Sequence, residues 1–189
     1  PLYSSAASDV YKRQVQNTSG QSFSGYGAAS VTIESFYAPN TNSSWIWGIG
    51  PYIQSPLSNS GKFGSQQTGL GVTGVVLNRA GPWTYGLLGY QSWSAGGNPD
   101  FGTQNNLYGQ PFLAYTTKNA VTVTANMQAL YNYDTRRTSN PLYVGASKLV
   151  VLDGVPFSFG AGPIYYVSNT PGGPSGWGAR ATATVVILK

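Results

Sequence analysis

The chain has no cysteine and no histidine among its 189 residues. Without cysteine there is no disulfide, no thiolate nucleophile and no cysteine-based zinc site. Without histidine no Ser-His-Asp or Cys-His arrangement can form. Charge is also scarce: 8% of residues are charged, against roughly 25% in an ordinary soluble domain. Ten basic and five acidic side chains leave a net charge of +5, and no basic cluster exceeds the pair Arg136-Arg137. That is too sparse for a nucleic-acid patch. Long hydrophobic runs are missing too. No segment reaches the roughly 18 apolar residues of a membrane-spanning helix.

What fills the chain instead is 25 Gly, 14 Tyr, 5 Trp and many Ser, Thr and Asn. Such a chain has too little charge to coat a surface facing water and too little continuous apolar sequence for a helix bundle. A membrane barrel reconciles the two, with apolar residues facing lipid at every second position and polar ones facing a lumen.

The periodicity supports this. Val121, Val123, Ala125, Met127, Ala129, Tyr131 and Tyr133 share one parity. Thr122, Thr124, Asn126, Gln128, Asn132 and Asp134 share the other, with Leu130 the exception. A strand separates the two sets where a helix would mix them. The same alternation recurs over 155–168 and 179–187, and near the start Val31 and Ile33 oppose Ser30, Thr32 and Glu34. About nine strands are expected, at 23–38, 45–54, 69–79, 83–93, 107–117, 119–134, 139–151, 154–168 and 176–188. Several exceed the five or so residues of ordinary strands and suit the ~9–11 needed to span a bilayer.

Connections alternate in length. Arg79-Ala80-Gly81-Pro82, Thr117-Lys118-Asn119 and Leu152-Asp153-Gly154 are short, whereas 55–68, 94–106, 134–140 and 168–176 are longer. Outer-membrane barrels place short turns in the periplasm and long loops outside. Trp83 and Trp93 share a face. Ten residues at ~3.3 Å cover ~33 Å, or ~25 Å of height at a 40° tilt, the spacing of two aromatic girdles. Tyr131 and Tyr133 are expected to join Trp83 and Trp93 in that lipid-facing set. The expected fold is thus an all-β, antiparallel, up-and-down transmembrane barrel.

Residues 4–14 read SSAASDVYKRQ. This resembles the translation of a transposase adapter from a sequencing library, so residues 1–14 are set aside as an adapter-like, disordered segment. Residues 15–189 are read as the C-terminal portion of a single barrel domain. An odd strand count agrees with an N-terminally truncated chain, about nine strands of an expected twelve, its signal peptide lost upstream.

The segments Trp45-Ile46-Trp47-Gly48-Ile49-Gly50-Pro51, Gly81-Pro82-Trp83-Thr84-Tyr85-Gly86, Gln110-Pro111-Phe112-Leu113-Ala114-Tyr115-Thr116-Thr117 and Trp177-Gly178-Ala179-Arg180 occur in this order. As a set they resemble a proteobacterial outer-membrane family labelled transporter or, mistakenly, "neuromedin U". That family is similar to outer-membrane proteins of the MetA pathway of phenol degradation. The resemblance implies a bacterial outer-membrane location and a channel or transporter for small, hydrophobic or aromatic, solutes. It implies as partners outer-membrane lipid, lipopolysaccharide and the assembly machinery. The end at Val186-Ile187-Leu188-Lys189 departs from the terminal aromatic that this machinery usually reads.

No enzymatic activity, cofactor or metal is expected. Asp100, Asp134 and Asp153 fall in predicted loops and turns. Glu34 and Arg180 lie on the polar faces of strands, where a lumen charge shapes the field met by a solute or braces the wall. Tyr52, Gln54, Asn126, Gln128, Asn132 and Tyr166 complete the candidate lumen lining. Lys62, Arg136 and Arg137 are candidate lipopolysaccharide contacts. Gly48, Gly50, Gly160 and Gly162 read as close-packing positions, since no phosphate-binding strand–loop–helix context surrounds them. Two other readings stay open, a structural barrel with an occluded lumen and a soluble lipocalin-like binder. The latter inverts the faces, with apolar residues inside.

Overall fold

The computed structural model describes residues 2–16, 22–39, 43–56, 66–98, 103–152, 155–167 and 175–185, with side chains from residue 31 to 184. Its strands are β1 (Leu2–Gln16), β2 (Ser22–Tyr37), β3 (Trp45–Pro56), β4 (Gln67–Ala80), β5 (Trp83–Gly97) and β6 (Asn106–Thr116). They continue as β7 (Val121–Met127), β8 (Ala129–Asn132), β9 (Arg137–Ser139), β10 (Pro141–Leu152), β11 (Val155–Tyr166) and β12 (Gly176–Val185). All belong to one antiparallel sheet in which each long strand pairs with its neighbours in sequence. The sheet curls into an open half-barrel with β1 and β12 at its two ends.

Most strand positions agree with the alternation, and two features differ. The expected strands 119–134 and 139–151 are each interrupted, at Gln128 and at Asn140. The register nevertheless runs straight through, with Leu142 opposite Met127 and Ser139 opposite Leu130. Pro141 accounts for the gap. It accepts a hydrogen bond from the Gln128 amide at 2.9 Å but has no N–H to return one. The second difference lies at the start. Residues 2–14, expected to be disordered, form β1 together with Val15 and Gln16, paired against β2. β2 would otherwise present a free edge, and a proline-free segment can fill its row of donors and acceptors.

Two tight connections fix the hairpins. Gly81 has φ +59° and is followed by Pro82 between the paired residues Ala80 and Trp83. A positive φ at the first central position and proline at the second is the II′ arrangement that matches strand twist. Between β6 and β7, Ala120 donates to the Thr117 carbonyl at 3.1 Å and sits at φ 57°. This is the three-residue hairpin whose last residue is left-handed. The Leu152-Asp153-Gly154 turn falls partly outside the described residues.

The core is inverted relative to a soluble domain. Tyr52, Tyr143 and Ile164 are the buried hydrophobic residues, whereas Gln67, Thr73, Asn78, Ser92 and Gln104 are buried and polar. Large apolar side chains lie exposed, most of them on the opposite face, along β3 to β7 and β10 to β12. Soluble proteins bury such residues first.

Candidate functional site

Register assigns each side chain to a face. Glu34 lies opposite Tyr52, Thr32 opposite Gln54, Tyr90 opposite both Thr73 and Tyr108, and Asn126 opposite both Phe112 and Tyr143. Arg180 lies opposite Gly162, on the same concave face. The expected lumen residues Glu34, Tyr52, Gln54, Asn126, Gln128, Asn132, Tyr166 and Arg180 therefore share that face. They divide into three groups with different surroundings.

The first group is a tyrosine ladder. Tyr52 and Tyr90 stack at 4.1 Å and 23°, and Tyr90 and Tyr108 at 4.7 Å and 13°. Tyr52 reaches β5 across Gly71, its direct partner on β4, which carries no side chain to block the ring. Tyr52 is only 2% exposed. Its hydroxyl donates to Gln54 Oε1 at 3.3 Å, and the Tyr108 hydroxyl donates to Gln110 Oε1. Thr73 donates to the Gly89 carbonyl at 3.2 Å and touches the Glu34 carboxyl group. Both faces of Tyr90 are covered by other rings, so this part of the wall is packed and offers a solute no free aromatic face.

The second group surrounds an open hollow of about 190 Å³ lined by Gln110, Thr124, Asn126, Tyr143, Arg180 and Thr182 with their neighbours on β10. The Arg180 guanidinium carbon lies 5.6 Å from the Tyr143 ring centroid. That ring lies along the wall over Gly145, where an added Cβ would fall 2.0 Å from the Tyr143 hydroxyl. Asn126 Oδ1 is buried here without a hydrogen-bond partner. Arg180 and Glu34 do not meet. One rests over Tyr143 on β10 and the other against Thr73 on β4.

The third group is at the long-loop end. Asn132 donates to Asn106 Oδ1 at 2.8 Å and to the Thr103 carbonyl at 3.1 Å. Its Oδ1 accepts from the Thr135 amide and hydroxyl at 2.8 and 2.9 Å. Asp134 accepts from Thr103 and from Asn105, the latter at 3.2 Å. Gln104 donates to the Gln67 carbonyl at 2.8 Å. Asn132 has thus spent its hydrogen-bonding capacity on bracing two connections, a structural task different from the expected lining of a pathway. Gln128 and Tyr166 are half-buried on the concave side.

The outward rows carry the aromatics. Trp83, Trp93 and Tyr133 are 44%, 50% and 46% exposed. Tyr131 is half-buried and meets Tyr133 edge-on at 4.9 Å. Trp83 packs on Tyr115 at 4.8 Å, Trp45 on Tyr85 at 6.0 Å and Tyr165 on Trp177 at 5.0 Å. Trp45, Trp83, Tyr85 and Tyr115 lie near the short-turn end. Trp93, Tyr131, Tyr133, Tyr165 and Trp177 lie toward the long-loop end. Between them the outward row holds Ile49, Val72, Val76, Leu87, Met127 and Val144, all exposed. Lys148 is the one charged side chain on the outward rows of the strands whose side chains are described; it lies between Val121 and Phe159, level with the β6–β7 turn. Lys62, Asp100 and Asp153 lie outside the described residues, and Arg136 and Arg137 are exposed at the long-loop end.

Tyr90, Tyr108 and Tyr143 were not among the expected lining residues. In Gly86-Leu87-Leu88-Gly89-Tyr90-Gln91 both parities carry apolar groups, so alternation alone does not orient the segment. The fixed spacing from Trp83 and Trp93 does, since both tryptophans have the opposite parity to Tyr90. Among the described residues no three metal-ligating side chains come together. No family model, curated protein or solved structure matches the chain.

Proposed function

We propose that this chain forms the wall of an outer-membrane β-barrel that passes small solutes, and that it performs no catalysis. The observation that carries the reading is its sidedness. Exposed apolar side chains dominate the outward rows between two aromatic zones, while most of the polar strand side chains, with the stacked tyrosines, lie on the concave face. Lipid is the medium in which that outward surface costs nothing, and the two zones suit the two interfaces. The same sidedness speaks against a lipocalin-like binder, which keeps its apolar residues inside. Lys148 is compatible with lipid because its stem can carry the ammonium group to the nearby interface. The family resemblance in the sequence points the same way. It adds outer-membrane lipid and the barrel-assembly machinery as partners, with lipopolysaccharide at Arg136 and Arg137. In lipid the free edges β1 and β12 must be satisfied, because an unpaired backbone group there costs several kcal/mol.

A structural barrel with a narrow lumen is the second reading. The tyrosine ladder favours it, since three stacked rings occupy the concave side of β3 to β6. One experiment separates the readings. The protein is reconstituted in lipid vesicles and a planar bilayer, and ion conductance and small-solute uptake are measured. Transport predicts both. Stable insertion without either leaves the structural barrel, and recovery as a soluble protein without detergent removes the membrane reading.

A further inference from the structure

We propose that the hollow between β6, β7, β10 and β12 binds a small monocarboxylate anion, with Arg180 as its counter-charge. The inference deepens the transport reading and rests on it, by naming the class of solute that the wall retains.

Arg180 supplies the charge. Its guanidinium sits over the Tyr143 ring, which engages the flat face of the group by cation–π attraction. The N–H donors lie in the guanidinium plane, in the fork that matches a carboxylate. Among the described residues no acid takes those donors. Glu34 rests against Thr73, and Asp134 is held by Thr103 and Asn105 at the long-loop end. The hollow therefore holds a cation on the polar face of a barrel wall with no carboxylate of the described chain beside it.

Asn126 supplies the second, independent observation. Its buried Oδ1 has no donor, a costly state for a buried acceptor. The amide oxygen and nitrogen have the same shape. The same amide, in a residue that lines the hollow, also carries two N–H donors. The other lining groups are donors as well. The Gln110 oxygen is taken by the Tyr108 hydroxyl, which leaves its N–H groups, and Thr124 adds a hydroxyl to the rim, while the Thr182 hydroxyl donates to the Gly160 carbonyl at 3.5 Å. A donor-rich hollow with one fixed positive charge takes an acceptor-rich solute of one negative charge. A single cation suits a carboxylate better than a doubly charged phosphate. The hollow, about 190 Å³ and open on one side, has room for a small solute.

Gly145 completes the geometry. The Tyr143 hydroxyl occupies the space where a side chain at Gly145 would begin, so only glycine lets the ring lie flat beneath Arg180.

The test uses two probes of equal shape, butyrate and butanamide, titrated into the whole chain in detergent micelles at constant ionic strength. Binding is read from the NMR shifts of the Arg180 and Asn126 side-chain N–H groups. Butyrate is expected to saturate both shifts with a Kd at least about ten-fold below that of butanamide. Arg180→Gln should abolish the preference, and Arg180→Lys should keep it at reduced affinity. Gly145→Ala should weaken butyrate by displacing the ring. Equal affinities for the two probes in the unaltered chain overturn the proposal, whether or not any variant folds. So does butyrate binding that survives Arg180→Gln. Butyrate binding without flux in vesicles keeps the site and removes transport; flux with no charge preference at the hollow does the reverse.

Discussion

Gly71 and Gly145 are each fixed by a close approach, Gly71 by the backbone of β5 and Gly145 by the ring of Tyr143 on its own strand. At Gly71 an added Cβ would lie 2.0 Å from the Gln91 carbonyl oxygen and 2.9 Å from Ser92 Cα. These are backbone atoms of the paired strand and have little freedom to retreat. Gly71→Ala should therefore cost about 1–3 kcal/mol by overpacking and should also tilt Tyr52 off Tyr90. Urea unfolding of the micelle-bound protein measures the first effect and near-ultraviolet circular dichroism the second. An unchanged midpoint would mean that β4 and β5 lie farther apart than described. The sequence marks these glycines only as glycines. What makes Gly71 necessary is the backbone of the paired strand, and what makes Gly145 necessary is the direction taken by the Tyr143 ring two residues before it; composition contains neither. Arg180 and Asn126 were legible because each falls on the polar parity of its own strand.

At the scale of the element, hairpins carry the information. The β6–β7 turn places Ala120 at φ 57°, where a Cβ crowds the next carbonyl at a cost of about 1–2 kcal/mol. Ala120→Gly relieves that contact and gives up part of the gain to unfolded-chain entropy. It should stabilise the protein by up to about 1 kcal/mol, seen as a higher urea midpoint with an unchanged slope. A lower midpoint would place the turn in another type. Strand positions were legible where alternation persists, as over 121–134, 155–168 and 179–187. The interruptions at Gln128 and Asn140 were not. Pro141 is visible in the sequence, but the residue that faces it on the neighbouring strand is not, and only that pairing reveals the missing hydrogen bond.

For the whole molecule the decisive quantity is the difference between the two faces. Leu87 is exposed on the outward row between Trp83 and Trp93, and Ser158 is half-buried on the concave side opposite Thr184. If the outward row meets lipid, Leu87→Arg should cost about 2–4 kcal/mol in a bilayer. Ser158→Arg, facing the polar side, should cost clearly less. Reversible unfolding from vesicles compares them, and equal costs would refute the assignment of faces. The antiparallel up-and-down sheet and the division of its residues between two faces were readable in advance because they follow from period and charge alone. The contents of the lumen were not, because the tyrosine ladder is built from residues that look apolar in an alternation count.

Pro141 has a further effect at the long-loop end. Beyond it, β9 is bonded to β8 alone, and β8 is tied to the rest of the sheet through β6. The short ribbon they form is fastened by side chains instead, through the hydrogen bonds of Asn132 and Asp134 with Thr103, Asn105 and Asn106. What the proline leaves out of the ladder is thus replaced by lacing between two neighbouring connections.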